Sequence, residues 1–400
     1  MIRKFLDSLK YLKIKDFVAI FEFLVLLLPA LLFKLINKIR KKDIWLICEN
    51  SDAARDNGYH FFKYIRENHP NVNVYYAIDK ISPDYKKVKK YGNIIEYGSI
   101  KHWIYYLAAT KNISTQKSGN PNPPLFYVLH VYFKLFNNRV YLKHGIVKDD
   151  AKYLYYDKTY FRTITCGAKK EYEYIKEKFG YPSENVKYTG LARFDNLYNN
   201  KVNKKQILIM PTWRTSLGRE KNILSKKENF IDSVYFKSWN SLLNDKKLLN
   251  YINKNNITIY FYPHHNMQKY IKYFNIDNEN IKVVDNSCID IQTLLKTSSL
   301  LITDYSSVYM DFAYMEKPII YYQFDYDEYR KNQLNEGYFS YEEDGFGKVL
   351  KNKDKVISKI IYYINNSYQI EKKYIKRMKD FYPLHDQNNS KRIYEEIKKW

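Results

Sequence analysis

The sequence predicts two Rossmann-like α/β domains in tandem, with an apolar membrane-associating segment ahead of them. Three observations predict it. Short apolar runs ending on polar residues alternate along the chain with stretches of helical periodicity, which is the pattern of a parallel sheet with crossover helices. One polar stretch, Asn196 to Lys205 (NLYNNKVNKK), divides that alternation into two halves. Near the N-terminus, Phe17 to Phe33 (FVAIFEFLVLLLPALLF) is apolar except for Glu22 and Pro29.

A chain of 400 residues with 45% hydrophobic content is long enough for two cores. Its 67 Lys and Arg against 43 Asp and Glu give a net charge of +24, which points to an anionic partner: phospholipid, nucleic acid or an acidic polymer. Cys48, Cys166 and Cys288 are odd in number, widely spaced and free of any C-x-x-C pair. They imply a reducing compartment and exclude a disulfide framework or a cysteine zinc site.

The apolar segment is at the short end for a spanning helix. Arg3, Lys4, Lys10, Lys13 and Lys15 precede it and Lys34, Lys38, Arg40, Lys41 and Lys42 follow it, so the flanks carry no positive-inside bias. That symmetry predicts a segment that dips into one leaflet, returns at Pro29 and keeps both flanks on anionic headgroups. A full span and a buried soluble helix are the alternatives. No small-residue cleavage site follows, so a cleaved signal peptide is not expected.

From Asp43 the alternation begins. Strands are expected at Ile44 to Cys48, Val72 to Ile78, Ile94 to Tyr97, Asn112 to Thr115, Arg139 to Lys143 and Thr163 to Cys166. Helices are expected at Gly58 to Asn68, Ser99 to Thr110, Leu125 to Phe136 and Ala168 to Phe179. The second half has strands at Ile207 to Met210, Ile257 to Tyr262, Ile281 to Val284, Leu300 to Thr303 and Ile319 to Tyr322, then a basic helical tail from Val349 to Trp400. The organisation is therefore 1–42 membrane-associating, 43–195 first domain, 196–205 linker and 206–400 second domain. Two such sheets in tandem predict a ligand cleft at the carboxyl ends of their strands.

The densest signal lies in Leu300 to Tyr329. A buried strand ends at Thr303-Asp304, Ser306 and Ser307 open a helix whose apolar stripe is Val308, Phe312, Ala313 and Met315, and Lys317-Pro318 stops it. The first N–H groups of such a helix point outward and suit a phosphate, although Ser and Asp are also ordinary N-cap residues. Other polar groups fall at strand ends too. His144 and Gly145 follow RVYLK, Thr212 and Arg214 follow ILIM in PTWR, and His264 follows ITIYFY and Pro263. A lone histidine at a strand end is usually a hydrogen-bonded turn residue, and His264-His265 alone would suggest either a metal fragment or nothing. Arg55-Asp56-Asn57-Gly58 reads either as an N-cap pair or as a contact to an acceptor substrate. No Walker, HExxH or paired-carboxylate motif is present, so no tightly bound cofactor or metal is expected; Asp304 and Asp311 are the candidates for a loosely bound divalent cation.

His144-Gly145, GLARFD (Gly190 to Asp195), MPTWR (Met210 to Arg214), YPHH (Tyr262 to His265) and TDYSSVYMDFAYMEKPIIYY (Thr303 to Tyr322) occur in the order found in one family. Across roughly Trp45 to Tyr341 the chain resembles the CDP-glycerol:poly(glycerophosphate) glycerophosphotransferases, the teichoic-acid polymerases and primases. The resemblance implies a glycosyltransferase-B-like pair of domains facing a cleft. It also implies membrane association at the cytoplasmic face of a bacterial cell, and transfer of glycerol or ribitol phosphate from a CDP-alditol donor to a hydroxyl of a lipid-linked acceptor. His144 and His264 match the pair associated with catalysis, and Arg214, Ser306 and Ser307 match positions implicated in holding the donor phosphates. Gly145, Thr212, Thr303, Asp304 and Asp311 lie within the same motifs and are expected to line the substrate site. The family's WHGTPLKKIG segment is matched by YLKHGIVKDDAKYL only at its core. With His144 as base and a protonated His264 on phosphate, the pH profile is expected to be bell-shaped. A nucleotide-sugar glycosyltransferase on the same scaffold is the alternative. A basic membrane scaffold or RNA binder explains the charge but not the strand-end residues, and no nucleic-acid module is recognisable.

Overall fold

The computed structural model describes residues 14–198, 201–218, 229–285, 289–332 and 335–400. Of the features named above, Arg3, Lys4, Lys10, Lys13, Cys288 and the Asn199-Asn200 part of the linker lie outside them.

The described chain forms two compact units: residues up to Ile146 with Ala151–Asn196 and Asp386–Trp400, and Val147–Asp150 with Leu197–His385. The first unit holds a seven-stranded sheet of β1 (Trp45–Cys48), β2 (Val74–Ile78), β3 (Ile94–Glu96), β4 (Lys111–Ser114), β5 (Arg139–Tyr141), β6 (Thr163–Cys166) and β7 (Val186–Tyr188), in the order 3-2-1-4-5-6-7. All its pairings are parallel. The second unit holds six parallel strands, β8 (Asn203–Met210), β9 (Thr258–Phe261), β10 (Ile281–Val283), β11 (Ser298–Thr303), β12 (Ile319–Tyr322) and β13 (Gly347–Leu350), in the order 10-9-8-11-12-13. Each sheet starts at an inner strand, winds one way and then the other. Its switch point lies between β1 and β4 in the first unit and between β8 and β11 in the second, and ligands of such sheets collect at the carboxyl ends there.

The apolar runs are strands because both faces of each sheet are covered: β1, β4, β6, β11 and β12 are buried at every position. Two strands were not legible in advance. β7 (VKY) is three residues long and half polar, and β13 (GKVL) lies where a helical tail is expected. β8 begins inside the predicted linker because Asn203 pairs with Ser298. The C-terminal helix Asn389–Ile397 also departs from expectation, since it belongs to the first unit. Ile393, Tyr394 and Ile397 join the core of Trp45, Phe62 and Tyr76, and the Asp195 carboxylate accepts from the N–H groups of Asn389 and Ser390 at 2.8 Å each, holding the helix start.

The apolar segment does not turn back at Pro29. It is one helix, Ile14–Ile39, of 26 residues and about 39 Å, that runs through the proline. Ala19, Phe23, Leu26, Ala30 and Phe33, spaced four and three apart, face the first unit. Phe33 meets Tyr105, Phe23 meets Phe136, and Asn122 Nδ2 donates to Asp16 Oδ1 at 3.0 Å. The opposite face, with Phe21 68% and Leu28 65% exposed, carries Phe17, Leu24, Val25, Leu31, Leu32 and Leu35 outward.

Two buried histidines of the first unit make its stability acid-sensitive. His102 accepts a hydrogen bond from the Gly98 N–H at 3.1 Å, and His130 meets the Tyr106 hydroxyl at 3.3 Å. Burial lowers their pKa values from 6.5 to about 3 and, with help from the Arg139 charge, to about 2. The unfolded chain therefore binds more protons than the folded one below pH 6.5. Each histidine costs about 1.4 kcal/mol per pH unit as the pH falls towards its folded value. The midpoint of thermal unfolding should be flat above pH 7 and fall steadily from pH 6.5 to pH 4.5; a constant midpoint over that range would contradict the buried neutral assignment.

Candidate active site

In the second unit the switch point carries the PTWR and TDYSS motifs together. The Asp304 carboxylate, wholly buried after β11, accepts from the Thr212 N–H at 2.8 Å and the Tyr305 N–H at 2.6 Å, and pairs with Arg214 Nη2 at 2.9 Å. Arg214 also reaches Asp325, with Nε to Oδ2 at 2.8 Å and Nη2 to Oδ1 at 3.1 Å, and Nη1 donates to the Thr212 carbonyl at 3.3 Å. The Tyr235, Tyr305 and Tyr329 rings surround its guanidinium at 5.0–5.1 Å. Burial works against this charge and is outweighed by Asp304 and Asp325, which hold its pKa above the usual range. The expected phosphate-gripping fork is thus turned onto two carboxylates, and Arg214 braces the loops after β8, β11 and β12. Asp304 is equally committed, which removes it as a candidate for a loose cation.

Other predicted substrate contacts also have internal partners. The Thr303 hydroxyl donates to the Met210 carbonyl at 2.6 Å, tying β11 to β8. Asp311 is buried in the helix Val308–Tyr314. That helix starts one residue after Ser307 and is only seven residues long, so the anion-binding terminus is shorter than the stripe suggested. Ser307 makes no side-chain cap, Ser306 Oγ is 3.5 Å from the Val308 N–H, and Ser306 is half-buried while Ser307 is exposed. These two hydroxyls remain presented at the sheet edge.

His264 follows β9 and caps the short helix His265–Gln268. Its main-chain N–H donates to the Pro211 carbonyl at 3.2 Å, and its Nδ1 accepts from the Asn266 N–H at 3.3 Å. A backbone N–H can only donate, so the proton of the neutral ring is on Nε2. Trp213 stacks alongside, 6.3 Å away. Burial, with His265 beside it, lowers the pKa to about 4. His264 is therefore a neutral Nε2–H donor at pH 7, which replaces the protonated imidazole expected from the sequence.

In the first unit, His144 lies just beyond β5 and is exposed, while Gly145 beside it is buried. Its ring bonds the Thr115 main chain after β4. Crowding by protein lowers its pKa below the ordinary 6.5; Asp56 and the Thr115 bond pull it up, and Arg193 and Lys143 push it down. Lys143 forms a fully buried ion pair with Glu171, which also accepts from the Gly167 N–H at 2.7 Å. His144 is thus neutral at pH 7 with solvent access, the state a general base needs. Among the described residues, no group of three or more His, Cys, Asp or Glu could hold a metal ion.

Asp325 was missed as a site residue, and Asn57 and Arg193 stood out only within the RDNG and GLARFD runs, with no link to His144. Asp325 carried one signal, a carboxylate three residues past the end of a buried strand, where Asp304 is one residue past β11. The link of Asn57 and Arg193 to His144 carried none without the fold, because they meet its turn from positions 86 and 49 residues away.

Two doubly wound sheets, each with a histidine at the carboxyl end of a strand, define a two-domain fold of the glycosyltransferase-B-like class. The wall teichoic acid polymerase TagF shares the fold, with a TM-score of 0.65 at 16% identity over 94% of this chain and 98% of that one. A histidine-to-asparagine variant of TagF soaked with CDPG matches equally, also at a TM-score of 0.65 and 16% identity, over 94% of this chain and 98% of that one. The sequence model of the CDP-Glycerol:Poly(glycerophosphate) glycerophosphotransferase family matches residues 30–399, and the chain belongs to that family. It is 36% identical over 381 residues to the minor teichoic acid biosynthesis protein GgaB of Bacillus subtilis, covering 92% of this chain and 41% of that one. The chain spans about half, or less, of the length of these curated relatives.

Proposed function

We propose that the chain transfers glycerol phosphate, or ribitol phosphate, from a CDP-alditol to a hydroxyl of a lipid-linked acceptor, in the synthesis of teichoic acid, capsule or a related cell-surface phosphopolymer. What carries this reading is that both strand-end histidines of the family motifs are neutral and differently employed: His264 has its Nδ1 occupied and its Nε2–H to give, and His144 is an exposed base. In the reaction, an acceptor oxygen forms a bond to the phosphorus that carries the polyol, the P–O bond to CMP breaks, and His144 takes the acceptor proton. His264 Nε2–H, the Ser306 and Ser307 hydroxyls and nearby main-chain N–H groups hold phosphate oxygens. Arg214 and Asp304 act one step back, by fixing the loops on which these groups stand. The CDPG soak of TagF supports CDP-glycerol as the first donor to try.

A donor panel tests this. CMP should be released from CDP-glycerol or CDP-ribitol only when a teichoic-acid-type acceptor is present; UDP release from a UDP-sugar would favour the glycosyltransferase reading instead.

The helix Ile14–Ile39 is proposed to lie along the cytoplasmic face of the bacterial membrane, one stripe on the first unit and the other in lipid. Deleting it would uncover Trp103 and Phe126, so substitution is the cleaner test. Replacing Phe21, Leu28 and Leu32 by Ser should remove several kcal/mol of lipid partitioning, at about 1.5–3 kcal/mol per buried side chain, and abolish flotation with anionic vesicles. The fold should be unchanged. Retained flotation would place the membrane contact elsewhere.

A further inference from the structure

The Arg55-Asp56-Asn57-Gly58 run and the arginine of GLARFD have no part in the transfer chemistry, yet the first unit brings both to the turn that carries His144. Arg193 is buried, and its Nη1 lies 2.8 Å from Asp56 Oδ1 and 2.9 Å from the His144 carbonyl oxygen. Its main-chain N–H donates to Asn57 Oδ1 at 3.0 Å, while Asn57 Nδ2 donates to the Lys143 carbonyl at 2.7 Å. Two consecutive carbonyls, of Lys143 and His144, are thus each held by a side chain from a distant part of the sequence. The turn needs holding, since Lys143 has φ of +60°, a left-handed conformation that costs a residue with a side chain.

We infer that Asp56, Asn57 and Arg193 are positioning residues for His144, fixing the main chain of its turn and setting one carboxylate and one guanidinium beside its ring. This rests on the proposed role of His144 as the base. Released from these bonds, the turn would relax towards negative φ and carry the imidazole with it, and a displacement of about 1 Å costs a reacting group on the order of a hundredfold. The carboxylate has a second effect. As His144 takes the acceptor proton it becomes a cation, which Asp56 stabilises and Arg193 and Lys143 oppose. The other charges around the turn are paired or engaged: Glu171 with Lys143, and Glu49, behind Asp56, with the N–H groups of Arg55, Asp56 and Tyr59.

Asp56 is also the N-cap of the helix Asn57–Asn68, its Oδ1 accepting from the Asn57 N–H at 2.8 Å. Asparagine caps as well as aspartate, so Asp56→Asn removes the charge and keeps the cap. In the full-length protein labelled at histidine, NMR titration of Asp56→Asn should show the His144 pKa lowered by about 0.5–1 unit against wild type. The acid limb of kcat/KM should move with it. Arg193→Lys keeps the charge but loses the planar guanidinium whose Nη1 reaches two acceptors. It should lower kcat by about ten- to a hundredfold with the donor KM and the His144 pKa unmoved. An unshifted His144 titration in Asp56→Asn, or wild-type turnover in a folded Arg193→Lys, overturns the inference. Should Arg193→Lys not fold, the Asp56→Asn titration decides alone. Because that titration needs no substrate, it stands apart from the donor panel: a wild-type protein that releases no CMP sinks the transfer reaction and leaves the clamp to be judged by NMR.

Discussion

His144→Ala is expected to lower kcat by about 10²–10⁴-fold, the usual contribution of a general base, with donor affinity nearly intact. The loss should be confined to turnover because the ring is exposed and supports no core contact, so circular dichroism and the unfolding midpoint should match wild type. The wild-type pH profile follows from the same electrostatics. Crowding by the surrounding protein and the Arg193 charge hold the His144 pKa below 6.5, so kcat/KM should rise with unit slope through a value in the acid range and then level off. No alkaline limb should come from His264. Its pKa of about 4 leaves it neutral throughout, and its Nε2–H persists above pH 7. The bell expected from the sequence thus becomes a single ascending limb. CMP release at saturating acceptor, followed from pH 5 to pH 9, measures both. Wild-type kcat in folded His144→Ala, or an alkaline fall that disappears in His264→Ala, would refute these assignments.

The parallel sheets were legible because a strand buried on both faces has to be a continuous apolar run, as in LLIT and IIYY, and such runs have few other uses. The strand-end motifs were legible for the same reason: once the run is placed, the next polar residue falls at the carboxyl edge. What escaped depends on contacts that are distant in sequence. β13 is short and carries Lys348, so nothing but its pairing with β12 marks it as a strand. The C-terminal helix carries an apolar stripe that fits either unit, and its partner is decided by Asp195 at its start. The single helix through Pro29 could not be read from composition, since a proline permits a kink or a reversal alike and the choice is made by packing on Tyr105 and Phe136. At the site, sequence located Arg214 correctly at a strand end but could not show which way its fork turns. The carboxylate that claims most of it, Asp325, is 111 residues on.

Arg214→Met should destabilise the second unit by about 3–5 kcal/mol, the cost of leaving a buried ion pair with one partner missing. Asp304 and Asp325 have side chains 0% and 5% exposed, and the guanidinium is the cation that both face. Methionine fills part of the volume among Tyr235, Tyr305 and Tyr329 but neutralises neither carboxylate, so the deficit is electrostatic rather than a cavity. For a unit of this size the unfolding midpoint should fall by roughly 10 °C. Adding Asp325→Asn to Arg214→Met should recover part of that loss, because it removes one of the two stranded charges, and the non-additivity of the pair measures their coupling. Donor affinity should weaken in proportion to the disorder of the loops bearing Thr212 and Ser306, and the double variant should recover some of it. An arginine whose charge was reserved for a donor diphosphate would behave otherwise. Its removal would leave the midpoint of the ligand-free protein unchanged, cost donor affinity outright, and gain nothing from Asp325→Asn; that combination of results would return Arg214 to the phosphates.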